Sequence, residues 1–213
     1  MNNLMAADPL KAQQYRTQRS ENPEDLWQPL YDRANVAATT TVATQVAFFG
    51  TPKGQSATLI TGTAAAAAKT KTYRDTNMEN SNVVPTKMFK FTGISLAFVH
   101  RNPSGASSDT NAAERALILE GGYLQVRIVD KDILFLPLLA IPVLNPIAGV
   151  TGTSNFATNP GGGTGVAMYK LPIPITLNPF ENFSVTMNFD GTITTTASVD
   201  MYMFLQGFMR RPT

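Results

Sequence analysis

The stretch "NFSVTMNFDGTITTTASVDMYMFLQGFMRRPT", Asn182 to Thr213, constrains the fold more than any other part of the chain. From Asn182 to Phe189 apolar and polar residues alternate at the period of a half-buried strand. The following "VDMYMFLQGF" is apolar on both faces. Val199, Met201, Met203 and Leu205 share one side, and Tyr202 and Phe204 share the other with Asp200 and Gln206. One side can fill the core of a β-sandwich. The aromatic side needs a cover, either an N-terminal arm or a neighbouring subunit. Gly207 permits a bend or a close approach before Arg210 and Arg211.

The same period recurs upstream. "TTTVATQVAFF" places Val42, Thr44, Val46 and Phe48 on one face, and "GTPKGQ" then turns the chain. "TKMFKFTGISLAFVH" (Thr86 to His100) predicts a long strand with Met88, Thr92, Ile94, Leu96 and Phe98 in phase. "AERALILEGG" starts as a helical turn that Gly121-Gly122 ends. "YLQVRIV" and "ILFLPLL" flank "DKD" as a hairpin, and "YKLPIPITL" supplies another strand. Eight or nine strands at these spacings suggest an all-β antiparallel sandwich or barrel. A 21-residue loop, Asn145 to Gly165, is unusually long for a compact domain and reads as functional, mobile or an assembly contact.

Residues 1–36 differ from the rest and read as a helical N-terminal arm, with the β domain spanning 37–213. Asp8-Pro9 is a helix start, and "LKAQQYRTQRS" favours helix up to Ser20. Asn22-Pro23 repeats the start before "EDLW", and Pro29 cuts that second helix short. The arm's mixed charges (Lys11, Arg16, Arg19 and Arg33 against Asp8, Glu21, Glu24, Asp25 and Asp32) argue against nucleic-acid packaging by this segment. Its aromatic residues Tyr15, Trp27 and Tyr31 suit docking on a neighbour.

Only 15% of the 213 residues are charged, against about 25% in an average domain. Such a chain has little surface to solvate, which fits assembly or a compact β domain. There is no cysteine, which removes disulfides, thiolate chemistry and cysteine-ligated zinc. The beginning of the sequence lacks the apolar run of a secretory signal, and the expectation is synthesis in the cytoplasm. No apolar run approaches the roughly 18–20 residues that cross a bilayer.

Templates for catalysis fail for want of residues. His100 is the only histidine, and no G-x-S-x-G elbow accompanies it. Asp130 and Asp132 could hold a hard cation, but an Asp-rich hairpin turn needs none. "NPGGGTG" lacks the Gly-Lys-Ser/Thr of a phosphate cradle and is followed by a strand. Lys69, Lys71 and Tyr73 at alternate positions could meet phosphates, although a solvated strand face is favoured. The expectations are no enzyme activity, no cofactor, no metal and no sequence-specific nucleic-acid binding.

"KFTGISLAF", "EGGYLQVRI" with "DKDIL", "YKLPIPITLNPFENFSVTMNF" and "VDMYMFLQGFMRRP" follow one another in an order that resembles jelly-roll virion proteins. The likeness is to capsid-shell proteins of tailless, often membrane-containing bacteriophages, and covers about Thr86 to Pro212. It implies a single jelly roll of about eight strands; the length excludes a double one. It also implies a self-assembling structural subunit whose partners are its own copies and other virion proteins, with contact to an internal membrane compatible. Trp27, Tyr31, Tyr202 and Phe204 are then the candidate inter-subunit or arm-docking contacts. The alternative is a receptor- or carbohydrate-binding jelly roll of a spike or vertex, for which Tyr73, Tyr123 and Phe156 are the loop aromatics on offer.

Overall fold

The computed structural model describes residues 24–36, 45–61, 66–84, 87–99, 116–144, 168–191 and 199–211. His100, Phe156, the glycine-rich loop and the helix expected before Ser20 lie outside them. The described residues form eleven strands: β1 (Glu24–Trp27), β2 (Leu30–Val36), β3 (Gln45–Phe48), β4 (Ser56–Ile60), β5 (Ala66–Thr70), β6 (Met88–Val99), β7 (Gly122–Ile128), β8 (Lys131–Pro137), β9 (Tyr169–Leu177), β10 (Phe183–Phe189) and β11 (Val199–Arg211). A helical turn at 116–121 precedes β7, where the sequence places it.

Two antiparallel sheets carry the fold. One runs β1-β11-β6-β9, with β2 also on β11; the other runs β3-β10-β7-β8. The two-stranded β4-β5 hairpin stands apart from both. Setting that hairpin aside, pairing is nested about the chain's middle: β2 with β11, β3 with β10, β6 with β9, and β7 with β8. Apolar residues from the two sheets meet in one sandwich-like core, including Phe89, Phe91, Leu96, Leu124, Val185 and Met203. Burying each such side chain is worth about 1.5–3 kcal/mol, so the alternation in the sequence fixes which face turns inward.

Three expectations need correction. "EDLW" is the strand β1 rather than a short helix, because Leu26 and Trp27 pair with Met209 and Phe208 of β11. Local start signals lose to a ready-made strand edge. The described part of the expected arm is therefore sheet: β1 and β2 lie in tandem along one edge of β11, broken at Gln28-Pro29. The third correction concerns the phase of β6. Phe89 and Phe91 point inward, then Ile94, Leu96 and Phe98, whereas Met88 and Thr92 are only partly buried. A bulge at Thr92 inserts one residue opposite the Gln206–Gly207 step and resets the alternation.

Gly207 sits on that bulge. A Cβ there would lie 2.2 Å from the Lys90 carbonyl oxygen and 2.6 Å from Phe91 Cα, so the close approach of β6 and β11 requires glycine.

Candidate functional site

The outward face of β11 carries Asp200, Tyr202, Phe204, Gln206, Phe208 and Arg210. Its partners on β1 and β2 set what meets each of them. Register places Tyr31 opposite Phe204, Arg33 opposite Tyr202 and Trp27 opposite Phe208. The Tyr31 and Phe204 rings lie 6.0 Å apart, and Tyr202 stacks on Phe204 at 5.8 Å. Three of the four expected residues thus form one cluster. Trp27 belongs to a second, where it meets Phe208 edge-on at 5.0 Å. The sequence reading missed Phe208, although the period-two continuation of Tyr202 and Phe204 through Gln206 reaches it.

The cover over Tyr202 comes from the chain itself. Its hydroxyl donates to the Arg74 carbonyl at 2.7 Å, and the Arg33 guanidinium lies 5.8 Å from its ring centre. The Tyr31 hydroxyl donates to the Tyr73 carbonyl. Burial raises the pKa of both phenols, so both stay protonated donors well above neutral pH.

Beneath this aromatic layer lies a buried charge cluster that the sequence did not announce. Arg33 donates to Asp200 at 2.7 Å, to Asp75 at 3.1 Å and to the Ile60 carbonyl at 2.8 Å. Asp200 also accepts from Asn35 and from the Ile60 N–H at 2.8 Å. Lys69 donates to Asp75 at 2.7 Å, and Lys71 to Asp32 at 2.6 Å. Asp32 takes the Phe49 N–H as well, at 2.7 Å. Three cations face three carboxylates, and every carboxylate has at least two donors. Such a network ties β2, β4, β11 and the turn after β5 into one unit, shielding the free edge of β2.

Lys69 and Lys71 therefore do not form a solvated strand face. They share a side as expected, but that side turns toward Asp75 and Asp32, and Lys71 is buried. Burial pushes the Asp32 carboxyl above its ordinary range, with Lys71 offsetting part of the effect. Burial acts upward on Asp75 too, but the Lys69 and Thr72 hydrogen bonds outweigh it and hold that carboxyl low.

Further along β11 the face opens. Trp27 is 51% exposed and Phe208 41%. Beside them Arg210 pairs with Asp25 at 2.8 Å, which lowers the Asp25 pKa and raises that of Arg210. Where the covered zone gives way to the open one, a cleft of about 330 Å³ lies between Tyr31, Tyr73, Asn77, Val84, Lys87 and Met209. Tyr73 is 62% exposed at its mouth, with the Lys53 ammonium 3.7 Å from its ring centre.

The "DKD" segment lies at the β7–β8 hairpin, with the turn at Val129-Asp130 and Lys131 and Asp132 already in β8; Asp132 accepts from Gln125 at 2.8 Å. Among the described residues no group of three or more His, Cys, Asp or Glu side chains is placed to hold a metal ion, and no helix is long and apolar enough to cross a membrane. No protein-family model matches this chain, and no curated protein matches it.

Proposed function

We propose that this chain is a structural virion protein, a self-assembling capsid subunit with a single jelly-roll fold. The observation that carries this reading is the strand order. A jelly roll of eight strands distributes two Greek keys over two sheets. Nested pairing of first with last strand, second with next to last, and so inward, is the pairing that folding one long antiparallel ribbon into two layers requires. The β4-β5 hairpin is then an insertion between the second and third framework strands. The likeness of the segments from "KFTGISLAF" to "VDMYMFLQGFMRRP" to capsid-shell proteins of tailless bacteriophages points the same way.

Surface chemistry agrees with assembly. Low charge and outward-facing Trp27, Phe208 and Phe135 leave apolar area that a lone subunit has no reason to keep, and a stable contact needs about 800 Å² per partner. Its partners are other copies of itself and other virion proteins. Electron microscopy and mass measurement of the purified chain at rising concentration test this. Closed particles or discrete rings of many copies are expected; a monomer at every concentration and salt condition sinks the proposal.

A second reading has one specific support, the cleft beside exposed Tyr73. An aromatic ring next to polar side chains is what a carbohydrate-binding spike or vertex module offers a sugar. Titration with a panel of glycans monitored by Tyr73 perturbation decides it: binding abolished by Tyr73→Ala favours this reading, and no binding removes it.

A further inference from the structure

Four non-glycine residues among those described have left-handed backbones: Phe49 (φ 66°), Asn82 (55°), Val129 (54°) and Phe180 (62°). They are far apart in sequence, yet one set of hydrogen bonds joins their loops. The Asn82 N–H donates to the Phe49 carbonyl at 2.9 Å, and the Phe183 N–H to the Asn82 carbonyl at 2.9 Å. The Val129 N–H donates to Asn182 at 2.8 Å, and the Phe180 N–H to Val84 at 3.1 Å. All four therefore sit at one end of the sandwich.

Two of them occupy slots that glycine ordinarily fills. Val129 is the first residue of the two-residue turn between Ile128 and Lys131, where positive φ selects glycine. Phe180 is the third residue of the turn Asn178–Glu181, behind Pro179, closed by a Glu181 N–H to Asn178 carbonyl bond at 3.1 Å. That is the glycine position of a type II turn. A β-branched or aromatic residue is strained at positive φ, and such strain is retained where the side chain has a task. Phe49 has an evident one, since it is fully buried against Phe183 at 5.6 Å. Val129 and Phe180 have none among the described residues: they are 57% and 70% exposed. Their turns are held firmly, the second by the Glu181 carboxylate, which accepts from the Asn178 N–H at 2.9 Å.

We infer that Val129 and Phe180 are paired apolar tips of a preformed contact surface, and that their partner is a second copy of this chain. The partner follows from charge. Around the tips Arg127 and Lys131 lie among Asp130, Asp132 and Glu181, a rim of both signs with no basic excess, which draws neither a polyanion nor an anionic membrane but offers opposite charges to a copy of itself. The inference rests on the shell-subunit reading and adds which end of the subunit makes contact.

Glycine at both tips separates contact from folding, because it relieves the backbone while deleting the side chain. The double variant Val129→Gly/Phe180→Gly is expected to melt at or above the wild-type temperature. It should need roughly tenfold or more higher concentration to assemble, as loss of central apolar anchors does. Val129→Ile, which keeps an apolar tip, should assemble like wild type. Wild type and double variant assembling at the same concentration overturns the tips while leaving the shell reading intact. A wild type that never assembles overturns both. Unchanged assembly with lost flotation on phosphatidylcholine vesicles assigns the tips to lipid and likewise overturns the inference.

Discussion

The two halves of β11 present the same kind of outward face and treat it differently. From Val199 to Leu205 the face is roofed by the chain's own residues, with six ionised groups closed beneath Tyr202 and the turn after β5. From Phe208 to Arg210 the strand runs between β1 and the start of β6, Trp27 and Asp25 of β1 meet Phe208 and Arg210, and the surface stays open. The roofed half uses polar groups whose partners are all internal, so it serves the fold. Among the described residues nothing covers the aromatic area of the open half, which on the proposed reading is free for contact. Tyr31 and Arg33, from the segment read as an arm, lie against Phe204 and Tyr202, whereas Phe208 further down the strand has only Trp27 beside its ring among the described residues.

Substitutions in the roofed half should act on stability most strongly. Arg33→Ala leaves Asp75 and Asp200 buried beside each other with a cation removed, which should cost about 3–5 kcal/mol in chemical denaturation. A loss under about 1 kcal/mol would mean the cluster is not closed as described, and the contrast between the halves would fall. Gly207→Ala, at the boundary between them, forces β6 and β11 apart and should cost about 1–3 kcal/mol, the usual range for overpacking.

The pH dependence of stability sharpens the picture inside the cluster. Asp75, held low, contributes stability that is present above its unfolded pKa and lost as pH falls through its folded one. Asp32, raised by burial, acts in the opposite sense: its protonation at low pH relieves the folded state. Thermal melts from neutral to acid pH should therefore show a shallower acid loss for Asp75→Asn and a steeper one for Asp32→Asn. Parallel profiles for both variants and wild type would contradict these assignments. The smallest effect on folding belongs to the open half. Trp27→Ala or Phe208→Ala should cost roughly 0.5–1.5 kcal/mol, the worth of one aromatic pair, while impairing assembly more than either change impairs melting.

Much of the fold is legible because period-two alternation is a local signal. The strands β7, β8, β10 and β11, the hairpin at Asp130 and the close approach at Gly207 all follow from neighbouring residues. What failed was set at a distance. Asn22-Pro23 with Glu24 and Asp25 imitates a helix start, and only the edge of β11, reached late in the sequence, makes a strand of it. Thr92 breaks the phase of β6 because a bulge depends on how two strands meet. Lys71 looks solvated beside Lys69 since its partner Asp32 lies 39 residues away. Tyr202 and Phe204 were legible as neighbours because aromatic residues on a strand face announce themselves, whereas Tyr31, read in a helical arm, and the salt-bridge cluster beneath need the tertiary register.

Hydrogen exchange, compared residue by residue between the dissociated and the assembled chain, tests the division of β11 most directly. Assembly should slow exchange around 24–27 and 208–210 and at the turns carrying Val129 and Phe180, and leave 56–60 and 199–205 as slow as they already are. Slowing confined to 56–60 and 199–205, with no change at Trp27, Phe208 and the two turns, would contradict the account.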